Sequence, residues 1–266
     1  MAGIEIYWIL MFFISISILG NLSGTAGGSL KVPILMFFGY TTNAVAISIA
    51  TNPFLSVPTS IINIKRKNID YKISIFLIIG SFIGTFFGSL LYDFIIMVNL
   101  LIYIALFSIF LIFVSIRLLI GNKSNEINNK QVEEVLINFK NCLNAVLIGF
   151  CAGFLSTLFG IGGGLLVTPL LVLVYNFKMH KAIGTSIFVI NFTSFFGIIE
   201  NYFLGYYTLD LIFIIVLLGS GISAGSFITS FVFKKAKSKL LKYVFVVIVL
   251  TIAVPLLWIS YFIPIS

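Results

Sequence analysis

Residues 159–174 read FGIGGGLLVTPLLVLV. Four glycines (Gly160, Gly162, Gly163, Gly164) and Pro169 interrupt an otherwise apolar run. In a helix interior glycine costs about 1 kcal/mol and proline about 3 kcal/mol relative to alanine. The stretch therefore predicts a break, with one apolar segment ending near 159 and a short one following at 164–176. Crossing a bilayer takes about 20 apolar residues, and a run of only 10–14 points to a re-entrant or broken half-helix.

The rest of the chain sets the solvent. Of 266 residues 60% are hydrophobic and 9% charged, whereas a soluble domain carries about 25% charged residues. So much apolar surface cannot be hidden from water, so the chain is expected to be an all-α polytopic membrane protein. No Lys or Arg precedes the apolar part of MAGIEIYWILMFFISISILG (1–20). That argues for a retained first membrane helix rather than a secretory signal peptide. Apolar segments run at about 4–20, 28–40, 43–62, 73–92, 99–119, 142–159, 164–176, 182–199, 209–232 and 242–264. Cys142 and Cys151, on one apparent helix, imply neither a disulfide framework nor a thiolate metal site.

The only long polar stretch, GNKSNEINNKQVEEVLINFK (121–140), divides the apolar chain in two. At an offset of 136, LGNLSGTAGGSLKVPIL (19–35) lies over LSTLFGIGGGLLVTPLL (155–171). Gly24, Gly27, Gly28 and Pro33 recur as Gly160, Gly163, Gly164 and Pro169, with four leucines in the same register. The expected division is a first membrane repeat at 1–120, a linker at 121–141 and a second repeat at 142–266.

The net charge of +8 reports topology, because fifteen of the sixteen Lys and Arg cluster in gaps between apolar segments. That is the positive-inside pattern, and it gives no reason to expect nucleic acid as a partner. The loop NIKRKNIDYK (63–72) is strongly basic, but its counterpart ENYFLGYYTLD (200–210) has no Lys or Arg. The next pair reverses: YDFIIMVN (92–99) has none, and KKAKSKLLK (234–242) has five. Matching loops then fall on opposite sides, which requires two inverted-topology repeats of about five segments, each with one short half-helix. The basic loops and the linker would be cytoplasmic and both termini outside. Secondary transporters use this architecture and bind substrate at the repeat interface.

A helix beginning at a glycine cluster inside the membrane points unpaired N–H groups and the positive end of its dipole inward, which suits an anion. Gly24, Thr25, Gly27 and Gly28 of the first copy and Gly160, Gly162, Gly163 and Gly164 of the second are the candidate substrate-binding backbone. The competing reading is close helix packing by small residues. Lys31, the sixteenth basic residue, lies within SLKVPIL (29–35). It either snorkels to an interface or supplies a buried cationic anchor. Thr185, Ser186 and Asn191 in AIGTSIFVINFTS (182–194), with Ser48, Thr51 and Asn52 in AISIATNPFLS (46–56), complete the candidate set. Their hydroxyls and amides can bond an oxyanion, or bond back to their own helix carbonyls.

These motifs resemble the TauE/SafE family of sulfite and organosulfur-anion exporters. The resemblance rests on GFLSTLFGIGGGLLVTPLLVLV (153–174) followed by KAIGTSIFVI (181–190). In the first half, GTAGGSLKVPIL and NAVAISIATN form a degenerate copy, and RKNIDYKISIFLIIGSFIGTFFGSLL matches the family's basic loop and glycine-spaced helix. The resemblance implies a permease of the cytoplasmic membrane for a small sulfur-containing or carboxylic anion.

No enzyme is expected. The apolar segments contain no His, paired carboxylates or metal-ligand cluster, and neither a metal nor another cofactor is implied. A nucleotide loop is excluded too, because no strand precedes the glycines and no Gly-Lys-Ser/Thr follows them. Of the acids only Glu200, at the end of an apolar segment, stands apart; a solvated loop carboxylate is the expectation there, and His180 in the basic loop KMHK (178–181) is expected to be solvated too. The expected partners are a small anion and the lipid bilayer, with homo-oligomers and a non-transporting scaffold role left open.

Overall fold

The computed structural model describes residues 11–18, 27–40, 43–98 and 138–233, with isolated positions at 20, 105–116 and 243–254. The described residues are helical, with no strand among them. After a helical stretch at 11–18 come α1 (Gly28–Phe37), α2 (Ala44–Lys65) and α3 (Tyr71–Val98). Then follow α4 (Phe139–Phe159), α5 (Gly164–Tyr175), α6 (Met179–Phe203) and α7 (Leu209–Phe233). Five of them, α2, α3, α4, α6 and α7, are long and apolar enough to cross a membrane. This is a multi-pass membrane protein.

The two short helices start where the glycines predict. Gly27 (φ 70°) precedes α1 and Gly163 (φ 78°) precedes α5, both in the left-handed region that glycine enters without steric cost. The offset between the helix starts is 164 − 28 = 136, the offset of the sequence repeat. Pro33 and Pro169 fall at the sixth residue of each helix. With 10 and 12 residues, α1 and α5 are roughly 15 and 18 Å long, about half the hydrocarbon thickness. They are slightly shorter than the apolar segments 28–40 and 164–176. The left-handed residues Gly39 (φ 89°) and Asn176 (φ 52°) follow each helix closely.

One boundary departs from expectation. The stretch expected to begin a loop at 92 is helical as far as Val98, where the 28-residue α3 ends. Phe-Ile-Ile-Met-Val (94–98) holds no glycine or proline, and a lone Asp93 does not stop a helix. The segment expected at 4–20 is described, and helical, at 11–18 and 20, whereas those expected at 99–119 and 242–264, and the linker 121–141, lie mostly outside the described residues.

Helix directions follow from who touches whom. Asp70, Ser60, Ile49 and Ala46 meet Thr185, Asn191, Gly197 and Tyr207 in turn. One index falls as the other rises, so α2 and α6 run antiparallel. On α3 and α4 the partners rise together: Gly80 with Val146, Gly84 with Phe150, Gly88 with Phe154, and likewise Leu77 with Gly149 and Ser81 with Gly153. A Cβ on Gly80, Gly84, Gly88, Gly149 or Gly153 would strike backbone of the opposite helix. These two parallel helices are therefore in backbone contact along a glycine seam, as small residues allow in membranes.

The main core gathers around α1, α2 and the 160–163 turn, with Val32, Leu35, Ile47, Ile49, Ile161 and Leu165 buried together. A second core joins α3, α4, α5 and α6 through Leu77, Ala145, Val167 and Leu171. Outward faces stay apolar, as at Phe82, Phe86, Phe195 and Phe213, which suits lipid and not water.

Candidate functional site

The two glycine copies meet. A Cβ on Gly28, the first residue of α1, would lie 2.5 Å from the Cα and carbonyl carbon of Ile161. The start of α1 thus rests backbone to backbone on the glycine turn of the second half. The turn is held from α2 as well: Ser48 Oγ donates to the Gly160 carbonyl at 2.6 Å, and Gly160 lies against Val45 and Val32. Gly163 lies against Ala152 of α4, and Gly164 is buried.

Lys31 stands in the first turn of α1, its N–H donating to the Gly27 carbonyl. Its side chain is fully buried, 0% exposed, so it does not snorkel. Nζ donates to Asn52 Oδ1 at 2.8 Å, and among the described residues no carboxylate pairs with it. Asn52 is equally buried, and its Nδ2 has no hydrogen-bond partner among the described residues. A Cβ on Gly162 would sit 2.7 Å from that Nδ2, so glycine is what leaves room beside the amide.

The arrangement is electrostatically one-sided. An unpaired buried charge costs several kcal/mol, and an orphaned buried donor about 1–3 kcal/mol. A cation in a first helical turn is also opposed by the dipole, which favours negative charge there. Ammonium, amide N–H and helix start all carry positive potential, which favours negative charge.

The remaining candidates divide. Asn191 of α6 is one turn along α2 from Asn52: Ser56 Oγ donates to Asn191 Oδ1 at 2.6 Å, and Asn191 Nδ2 donates to Ser60 Oγ at 2.7 Å. Asn52, Ser56 and Ser60 are spaced i, i+4, i+8, the signature of one helix face. That spacing could have drawn Ser60 into the candidate set from the sequence. Thr51 bonds back to the Ser48 carbonyl at 2.9 Å, the self-satisfied alternative. Ser186 is fully buried.

Thr185 belongs to a different contact. Its Oγ1 accepts the Asp70 N–H at 3.0 Å, while Lys181 pairs with Asp70 at 2.8 Å and lies 4.5 Å from the Phe177 ring centre. This ties the α2–α3 loop to the start of α6, away from the glycine turn. Gly24 and Thr25 lie outside the described residues.

Glu200 and His180 are not solvated loop residues. His180 sits in the first turn of α6, half-buried. Glu200 is in the last turn of α6 beside the Thr85 and Ser89 hydroxyls, with Oε2 buried and without a hydrogen-bond partner among the described residues. Among the described residues no three His, Cys, Asp or Glu come together as a metal site would need.

The family model described as "Sulfite exporter TauE/SafE" matches residues 8–256. Among relatives, "Probable membrane transporter protein YunE" of Bacillus subtilis is 30% identical over 207 residues, covering 70% of this chain and 74% of its own. A "Probable membrane transporter protein" of Methanocaldococcus jannaschii is 36% identical over 193 residues, covering 70% of this chain and 68% of its own. One from Xylella fastidiosa is 26% identical over 251 residues, covering 91% and 90%. No solved structure matches the chain.

Proposed function

We propose, for a chain that belongs to the sulfite exporter TauE/SafE family, that it is a secondary permease of a small sulfur-containing anion such as sulfite or an organosulfonate. The anion binds where the start of α1 meets the 160–163 turn. Lys31 neutralises its charge, Asn52 Nδ2 donates a hydrogen bond, and glycine backbone N–H groups complete the cradle. The observation that carries this reading is the fully buried Lys31, whose partner among the described residues is the neutral Asn52, itself with an amide N–H that none of them accepts.

In this reading the halves are inverted repeats. The antiparallel run of α2 against α6, counterparts at an offset of 136, supports that orientation. Alternating access then comes from one repeat rocking against the other about a fixed midplane site. The protein lies in the cytoplasmic membrane with its basic loops and linker inside and both termini outside. The anion passes through chemically unchanged, driven by its own gradient or a coupled ion gradient.

Reconstitution into liposomes with sulfite, sulfate, thiosulfate, sulfoacetate and acetate tests the proposal. Saturable flux of at least one sulfur-containing anion is expected. Flux of acetate alone would move the reading to carboxylates, and flux of none by folded protein would contradict it.

A further inference from the structure

Glu200 is an acid that the anion site does not use. It stands in the last turn of α6, where its carboxyl bonds the Thr85 and Ser89 hydroxyls of α3. Both hydroxyls are buried, and each also reaches its own helix. Thr85 Oγ1 lies 2.9 Å from the Phe82 carbonyl and Ser89 Oγ 3.0 Å from the Phe86 carbonyl. A hydroxyl has one proton to donate and can accept at the same oxygen. With both protons on the carbonyls, a carboxyl that bonds either hydroxyl must itself be protonated and donate. With both turned toward Glu200, the carboxyl is ionised and accepts. The turn orphans neither carbonyl, since each still accepts an N–H from four residues on within α3. Rotation of two hydroxyls thus satisfies the neutral and the charged acid alike, with no shift of backbone.

The carboxyl also sits where four helices converge. Gly197, one turn earlier on α6, packs on Ile49 of α2 and Thr157 of α4, and Thr157 Oγ1 donates to the Thr85 carbonyl at 3.1 Å. Ten residues back from Glu200, Ile190 touches Gly162 of the glycine turn, roughly 15 Å along the same helix. Among the described residues, the titratable neighbours at this end are Tyr92 of α3, against the Tyr206 ring, and Tyr207, which donates to the Ala46 carbonyl. Asp93 follows Ser89 by four residues on α3, and Cys151 of α4 is exposed. Lys65 of α2, Lys140 of α4 and Tyr175 of α5 lie toward the Lys181 end of α6.

We propose that Glu200 binds the proton that couples anion flux to a pH gradient. The proposal rests on the permease reading above and names the coupling ion which that reading leaves open. Ionisable side chains within membrane segments serve as proton relays in pumps and transporters. The ionised carboxylate grips both hydroxyls with charge-assisted bonds, about twice as strong as neutral ones, and so ties α6 to α3. Taking a proton from water on one side loosens that tie and frees α6 to shift with the bound anion. Returning the proton to water on the other side restores the tie. One proton then accompanies each anion in the same direction, and no bond of the anion changes.

Radiolabelled sulfoacetate, thiosulfate and sulfate keep a fixed charge around neutral pH and serve as probes. Wild-type protein and Glu200→Gln are reconstituted in liposomes with the membrane potential clamped at zero. With the outside acid, the wild type is expected to accumulate at least one probe about tenfold for each unit of pH difference. Glu200→Gln, permanently neutral, is expected to exchange that probe across the membrane but to reach equal concentrations only. Glu200→Asp keeps a carboxyl and is expected to accumulate the probe again. Accumulation by Glu200→Gln as in the wild type, or wild-type flux indifferent to the gradient, overturns the proposal and leaves the permease reading intact. A folded Glu200→Gln that exchanges nothing makes the residue structural and overturns it too. Flux of no probe by folded wild-type protein contradicts the permease reading itself.

Discussion

Replacing Lys31 by Met separates a binding residue from a structural one. The two side chains are of similar length, and the site is closed to solvent. The substitution removes a buried ammonium whose desolvation costs several kcal/mol. It leaves Asn52 Oδ1, now 2.8 Å from Nζ, without a donor, at about 1–3 kcal/mol. The first term is at least as large as the second, so folding stability is expected to stay level or rise. Anion affinity moves the other way, because truncating one side of a buried charged pair costs about 2–5 kcal/mol. The expected loss is thus roughly 30-fold to several thousand-fold. The assay pairs the apparent melting temperature in detergent with calorimetric anion binding per folded molecule. An unchanged or raised melting temperature with affinity lost is the expected signature. A clear drop in melting temperature with affinity per folded molecule intact would refute the reasoning and make Lys31 a packing residue.

Three further outcomes follow from other contacts. Gly162→Ala forces a Cβ onto a φ of 79° and to within 2.7 Å of Asn52 Nδ2. It is expected to cost about 1–2 kcal/mol from the left-handed backbone alone, read as a lower melting temperature, and to weaken anion binding by displacing the amide. Gly84→Ala drives a Cβ into the Phe150 carbonyl across the α3–α4 seam. A loss of about 1–3 kcal/mol in thermal unfolding is expected, with affinity per folded molecule unchanged. Asp70 both pairs with Lys181 and accepts the Ile73 N–H at the start of α3. Asp70→Ala should cost about 1–2 kcal/mol by losing ion pair and cap. Asp70→Asn keeps the cap and should cost less than about 1 kcal/mol in the same melts.

The short helices were legible because their signal is local. Glycine and proline act on their own stretch of backbone, so Gly27 and Gly163 mark the starts of α1 and α5 to the residue. The end of α3 was not, because the apolar segment reads as ending at 92, before Asp93, and one acidic residue does not unwind an apolar helix. The site was partly legible. Lys31 stood out as an ionisable residue in an apolar run, but whether it is buried depends on packing between distant segments. Asn52 was one of several polar residues in its segment. The bond from Lys31 and the approach of Gly162, 110 residues away in sequence, distinguish it from Thr51, which bonds to its own helix. Thr185 is buried and polar too, and its partner is the Asp70 loop.

The central claim is that an anion occupies the space between Lys31, Asn52 and the glycine turn. A crystal structure with bromomethanesulfonate tests it most directly, because the bromine marks the ligand by anomalous scattering. The sulfonate oxygens are expected within about 3 Å of Lys31 Nζ and Asn52 Nδ2. Bromine peaks only elsewhere, in a protein that transports the same compound in liposomes, would contradict the account.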